Sequence, residues 1–278
     1  MRKMKIVADS SANVWKLSHA DFASAPLKII TEEREFVDDG TLDVPAMVRF
    51  FDTYKRPSKT SCPNPADWLE AFGDAEDVFC VTLTSGLSGS YNAACAAKQM
   101  YESEHPGRRV LVIDSLSAGP ELKVIVEELE QCIRDGMDFD AICRHMEGYK
   151  EKTGLLFMLE SLKNFAANGR VSPAVAKITG LLGIRIVGKA SDAGQLQPTD
   201  KCRGEARSLD AIVAHLKEYG LRAGRVRIDH CENEGAAQRL KELLYTHFPA
   251  AQVRIGLCSG LCCYYAEKGG LLVGYEKR

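Results

Sequence analysis

Val78-Phe79-Cys80-Val81-Thr82-Leu83-Thr84-Ser85-Gly86-Leu87-Ser88-Gly89-Ser90, running on into Tyr91–Tyr101, decides the fold class of this chain. Val78–Leu83 is apolar but for Thr82 and reads as a buried strand. The Thr/Ser/Gly run reads as a polar turn and the stretch after it as a helix. The same succession begins at Lys5-Ile6-Val7-Ala8, which ends in Asp9-Ser10-Ser11. It begins again at Val110–Ile113, which ends in Asp114-Ser115 and leads to a helix over Glu121–Arg134. Strand, polar turn and helix in repetition form the βα pattern of a parallel sheet.

Working outward, Asn64-Pro65 opens a helix over Ala66–Phe72, with Asn as cap and Pro at the first position. Asp138–Lys150 reads as helical, with Ile142, His145, Met146 and Tyr149 on one face, and a domain boundary falls near its end. Beyond it, Gly154–Leu159 reads as a strand and Leu162–Ala167 as a short helix stopped by Asn168-Gly169. Val175–Leu182 follows as a helix, Ile184–Val187 as a strand, and Asp192-Ala193-Gly194 as a hairpin turn into Gln195–Gln197. Helices over Arg207–Tyr219 and Gly235–Thr246 alternate with strands at Arg225–Asp229, Gln252–Leu257 and Leu271–Tyr275. The expected architecture is α/β, in two α/β domains. Residues 1–150 would hold a mainly parallel sheet and residues 151–278 a mixed one.

Composition narrows the function. The chain has 278 residues, 27% charged and 45% hydrophobic, ordinary values for a globular protein. With 36 Lys+Arg against 38 Asp+Glu, its net charge of -2 gives no footprint for nucleic acid or an acidic membrane. Met1–Asp9 has no apolar run of the kind a secretory signal needs. No stretch of about 18 apolar residues could span a bilayer; the longest candidate, Ile178–Val187, is broken by Gly180, Gly183 and Arg185. A cytoplasmic location is expected, with the ten cysteines as free, packed thiols. The C-x3-C-C cluster of Cys258, Cys262 and Cys263 lacks the second pair of a zinc site, so no metal is expected.

In open α/β sheets ligands bind outside the carboxyl ends of the strands. Those ends carry Asp9-Ser10-Ser11, Thr84–Ser90 and Asp114-Ser115. Ser85, Ser88 and Ser90 open a helix, where free N–H groups favour an anion; each could also be a helix cap alone. Thr60-Ser61 is a second hydroxyl pair before a capped helix, or simply a turn. Arg170 leaves a left-handed helix terminus expected at Gly169. It can hold a carboxylate or phosphate, or lie on the surface. There is no phosphate-binding Gly-Lys loop, no G-x-G-x-x-G after the first strand and no G-x-S-x-G elbow. The six histidines form no i,i+4 pair; His230, beside Asp229, is the most site-like. An anion site without a nucleophile–base pair points to binding rather than turnover, and no catalytic residue is assigned.

Taken together these pieces resemble the DegV family of bacterial fatty-acid-binding proteins. The resemblance is carried by Lys5–Ser11, Lys59-Thr60-Ser61-Cys62-Pro63, Thr84–Tyr91 and Val112–Ser115. It continues through Leu162 to Gly169-Arg170-Val171-Ser172, Asp192-Ala193-Gly194 and Lys201-Cys202-Arg203-Gly204. It implies two α/β domains around a long-chain fatty acid, such as palmitate or a similar acid, with no cofactor. By the family pattern Thr60 and Ser88 contact the carboxylate, with Ser61, Ser85 and Arg170 near the same end. It also implies a carrier that presents the acid to a partner fatty-acid kinase, which makes an acyl phosphate for phospholipid synthesis. The family's late His-x-Gly-Pro-Gly motif is absent: Cys263–Gly270 holds no histidine, so a tyrosine or a backbone group would take that place. Phe157, Leu159, Ile178, Leu181, Leu182, Ile184 and Ile186 are candidates for the acyl pocket, or plain core. The alternatives are a small hydrolase or phosphotransferase using the Ser85–Ser90 turn as an anion hole, and a protein-interaction module with structural lipid.

Overall fold

The computed structural model describes residues 2–172, 175 and 183–277. In chain order its strands are β1 (Met4–Asp9), β2 (Asp21–Ala25), β3 (Leu27–Ile30), β4 (Glu35–Asp38), β5 (Lys59–Ser61), β6 (Asp77–Thr82) and β7 (Arg109–Asp114). They continue as β8 (Thr153–Leu159), β9 (Ile184–Ala190), β10 (Leu196–Arg203), β11 (Ala223–His230), β12 (Ala250–Leu257) and β13 (Leu271–Glu276).

The first sheet has the order β2-β1-β6-β7 and is parallel at every pairing, as the repeated βα pattern requires. All six residues of β6 are buried, because helices cover both faces. Strand alternation divides the side chains. Val7, Val78 and Cys80 meet helices Pro65–Phe72 and Ser90–Glu104. Ile6, Ala8, Phe79 and Val81 meet helices Pro120–Arg134 and Phe139–Tyr149. The Asn64 cap holds, and forms a full capping box with Asp67.

The second sheet, β10-β9-β8-β13-β11-β12, is mixed: β11 and β12 are parallel and the other pairs antiparallel. Helix Pro120–Arg134 lies between the two sheets, touching β1 and β6 on one side and β8, β11 and β13 on the other. Its Lys123 reaches across to Asp229 on β11 at 2.7 and 2.8 Å, and Asn13 donates to the same carboxylate at 2.7 Å.

Several elements differ from the sequence reading. Residues 21–61 contain β2 and a small antiparallel sheet, β4-β3-β5. These strands are three to five residues long, too short to show a period. Thr60-Ser61 is therefore not a turn but part of β5, with Thr60 opposite Ile29. Asp138 caps the helix Phe139–Tyr149 instead of beginning it. His145 on that helix is exposed, while Ile142, Met146 and Tyr149 are buried. A helix Gly260–Ala266, unread in the sequence, runs through the cysteine cluster. The helix expected over Val175–Leu182 falls, but for Val175, outside the described residues. Among the described residues no helix is long and apolar enough to cross a membrane.

Candidate functional site

A cavity of about 300 Å³ opens between the carboxyl ends of the parallel strands and one face of the mixed sheet. Its near wall is made by the carboxyl ends of the parallel strands, as open α/β sheets favour. Ser11 follows β1, Leu83, Thr84, Leu87 and Ser88 follow β6, and Ser117 and Ala118 follow β7. The far wall is mostly apolar: Leu155, Phe157 and Leu159, alternate residues of β8, with Ala190, Leu196 and Leu272; Lys189 and Gln195 are its polar members. Their even-numbered neighbours Leu156 and Met158 face the separate core beneath helices Glu205–Glu218 and Glu234–His247.

Polar groups gather where Thr60 meets Tyr265. Their hydroxyls hydrogen-bond at 2.8 Å, and the Tyr265 ring packs on Phe165 at 4.7 Å. Burial pushes the Tyr265 pKa up, so the phenol stays protonated and able to donate. Helix Gly260–Ala266 carries Tyr265 and is held at its start by the buried Asp38, which accepts from Gly260 N at 2.8 Å and Leu261 N at 3.0 Å. Ser259 adds a bond from its hydroxyl to the Ser10 carbonyl at 2.9 Å. Gly260 is needed there, since a Cβ would lie 2.5 Å from Leu42 and 2.9 Å from the Asp38 carboxylate. Arg170 leaves the left-handed Gly169 (φ +72°) and donates from Nε to the Leu87 carbonyl at 3.2 Å, beside Ser88. A second nitrogen bonds the Asn168 carbonyl. The guanidinium also lines the cavity, and its charge reaches Tyr265 and Cys62.

Asp9 organises the near wall from beneath. Its carboxylate accepts from Ser11 N (3.2 Å), Ser11 Oγ (2.5 Å), Leu83 N (2.7 Å) and Ser90 Oγ (2.6 Å). One buried side chain thus joins the turns after β1 and β6. Burial pushes its pKa up, and those donors oppose the rise. Ser88 lines the cavity, and its Oγ accepts from Ser90 N at 3.2 Å.

The three serines of the turn therefore separate. Ser88 is on the wall, Ser90 is buried against Asp9, and Ser85 is exposed and off the wall. Ser85 is turned outward because its N–H is drawn to Asp114 Oδ1 at 3.1 Å. Thr60, Ser61 and Arg170 line the cavity with Ser88. Of the acyl candidates, Phe157 and Leu159 are on the wall. Ile186 is buried in the same cluster behind it, and Ile184 is half-buried and off the wall. Ile178, Leu181 and Leu182 fall outside the described residues. His230 is buried away from the cavity, its Nδ1 accepting from Asn233 N at 3.2 Å.

Cys258, Cys262 and Cys263 are buried together with Cys231, and burial raises the Cys262 thiol well above its ordinary value. Among the described residues, Glu128, Cys132 and His145 come close enough to share an ion. Glu128 is already engaged there by Arg225 and by His145, each at 2.7 Å. The sequence reading missed Leu27, Leu155, Phe165, Leu196 and Leu272 on the wall, and it named a tyrosine within Cys263–Gly270 without choosing Tyr265. Period-two alternation from Phe157 and Leu159 was the available signal for Leu155; the others come from elements far apart in the chain.

Fold and cavity together define an α/β protein built around a partly open pocket, largely apolar along one wall and hydroxylated on the other. A family model described as "Uncharacterised protein, DegV family" matches residues 3–278, and the chain belongs to the DegV family. A DegV domain-containing protein of Streptococcus pneumoniae (strain R6) is 42% identical over 276 residues, 98% of each chain. The DegV family protein from Eubacterium eligens loaded with heptadecanoic acid superposes with a TM-score of 0.97 at 41% identity, over 99% of this chain and 100% of that one. The Streptococcus pneumoniae Fatty Acid Kinase (Fak) B3 protein loaded with linoleic acid gives the same TM-score, 0.97, identity, 41%, and coverage, 99% and 100%.

Proposed function

We propose that this protein is a carrier that holds one long-chain fatty acid in the cavity and presents its carboxyl group to a partner fatty-acid kinase. The observation that carries this reading is that one cavity joins an apolar stretch of wall, Leu155-Phe157-Leu159, to a head-group set of Thr60, Ser61, Ser88, Tyr265 and Arg170. It is supported by the acid-loaded structures of two proteins 41% identical to this chain. Burial of a long acyl chain contributes roughly 10 kcal/mol gross, at about 0.8 kcal/mol per methylene, before association costs.

Thr60 and Ser88 are the proposed carboxylate donors, with Ser61 and Arg170 beside them. Tyr265 is proposed to take the part of the family's absent histidine; Ser85, exposed, is left out. The protein itself is proposed to catalyse nothing and to work in the cytoplasm, feeding acyl phosphate to phospholipid synthesis through the kinase. Residues 1–150 and 151–278 are proposed as two units that enclose the acid together. Native mass spectrometry of the purified protein, followed by lipid extraction and identification, tests the reading. A stoichiometric long-chain acid is the expected result. A protein that carries no lipid and binds no added acid from decanoic to octadecanoic would refute it.

A further inference from the structure

Gly188 lies in the middle of β9, directly across from Phe157 of β8. It occupies the cavity-facing side of the strand, between Ile186 and Ala190, which both belong to the apolar cluster around the cavity. A Cβ on Gly188 would lie 2.6 Å from Cε2 of Phe157 and closer still to its Cζ, and 2.5 Å from the Gln197 carbonyl oxygen. The φ of Gly188 is not in the left-handed region, so backbone conformation does not demand glycine there. What demands it is close approach from two sides: the Gln197 carbonyl of the neighbouring strand β10, and the Phe157 ring, which lies over the strand where a side chain would otherwise stand and is the one of the two that can swing aside. The ring is 3% exposed and is itself part of the cavity wall.

We infer that Gly188, which is not on the cavity wall, sets the acyl-chain selectivity of the cavity by holding open the space in which the Phe157 ring lies. This rests on the fatty-acid reading. Leu155, Phe157 and Leu159 succeed one another along β8 at about 6.6 Å intervals, so Phe157 controls the wall midway between its two neighbours. A methyl group at Gly188 must displace the ring. Protein interiors are close-packed, and the empty volume bordering the ring is the cavity of about 300 Å³. The ring therefore moves into the path of the acyl chain. Acids long enough to pass Phe157 lose room, and shorter ones lose little.

The test is competitive loading of delipidated protein with an equimolar series of saturated acids from dodecanoic to octadecanoic, read by native mass spectrometry. Wild type is compared with Gly188→Ala, Phe157→Leu and the double variant. Gly188→Ala is expected to lower the octadecanoic-to-dodecanoic ratio by roughly fourfold for each methylene no longer accommodated. The double variant is expected to recover the wild-type ratio, because the smaller side chain vacates the contested space. Phe157→Leu alone is expected to raise the ratio. A general loss of stability would weaken all acids alike and leave the ratio unmoved. An unchanged ratio in Gly188→Ala, or a double variant that stays as shifted as the single, overturns the inference; the second outcome would place the clash at the Gln197 carbonyl. Should Gly188→Ala alone fail to fold, the double variant set against Phe157→Leu decides: a lower ratio in the double variant supports the inference and an equal one overturns it. Wild type that loads no acid overturns the fatty-acid reading itself, and is recognised before any variant is compared.

Discussion

Replacing Thr60 with alanine removes the hydroxyl that Tyr265 meets at 2.8 Å on the cavity wall. If Thr60 donates to the acid's carboxylate, the lost bond is one to a charged acceptor and contributes about 1.5–3 kcal/mol. That is roughly a 10- to 150-fold loss of affinity at about 1.4 kcal/mol per decade. If Thr60 only tethers Tyr265, the lost bond is neutral and contributes about 1 kcal/mol, near fivefold. The acyl chain still supplies roughly 10 kcal/mol gross, so lipid is expected to co-purify with the variant, and its mere presence decides nothing. The measurement must be an affinity, taken as competition against wild type for a limiting labelled acid. Tyr265→Phe keeps the ring on Phe165 and removes only the phenol, so the pair forms a double-mutant cycle. We expect at least a tenfold loss for Thr60→Ala, a similar one for Ser88→Ala, and a coupling between Thr60 and Tyr265 of at least about 0.5 kcal/mol. If Thr60→Ala and Ser88→Ala both compete as well as wild type, the carboxylate is held elsewhere and the head-group assignment is wrong.

Delipidation is expected to lower the melting temperature, and re-added acid to restore it. At about 100 times Kd a ligand adds about 2.7 kcal/mol, or some 5–10 °C for a chain of this size; an unmoved melting curve contradicts binding to the folded state. Loaded protein with ATP is expected to yield acyl phosphate only when a separate kinase is added, since the chain lacks a phosphate loop and its Mg²⁺-holding parts; product from the protein alone would establish an enzyme. Glu121 is buried, which raises its carboxyl above the ordinary 4.5. Its contribution to stability is therefore full below that value and lost as pH rises through the folded value. Glu121→Gln keeps an acceptor for Thr153, which donates to Glu121 at 2.7 Å, but cannot ionise. The melting temperature of the variant minus that of wild type should rise with pH above about 4.5; a flat difference refutes it.

Local signals explain what was legible in the chain. The β6 strand, its Thr84–Ser90 turn and the following helix are contiguous, and apolar runs with polar ends report burial directly. The Asn64 cap and the left-handed Gly169 are readable for the same reason: each is decided by neighbours a few residues away. The short strands β2 to β5 left no such trace, because three to five residues cannot establish a period, and their pairing is made by partners elsewhere.

The site divides along the same line. The pattern of the chain was enough to place hydroxyls such as Ser88 at the carboxyl ends of parallel strands, whereas Thr60 and Ser61, on the antiparallel strand β5, were tied to the site only by the resemblance to the DegV family. Pattern by itself could not tell Ser88 from Ser85, three residues apart in one turn; only the family resemblance ranked Ser88 first. That separation is made by Asp114, whose carboxylate draws the Ser85 N–H and turns that residue outward. Nor could it bring Tyr265 to Thr60, 205 residues away, or set Phe157 over Gly188. Those contacts depend on how the sheets pack against each other. Packing is a property of surfaces assembled from distant segments, and only the tertiary structure carries it.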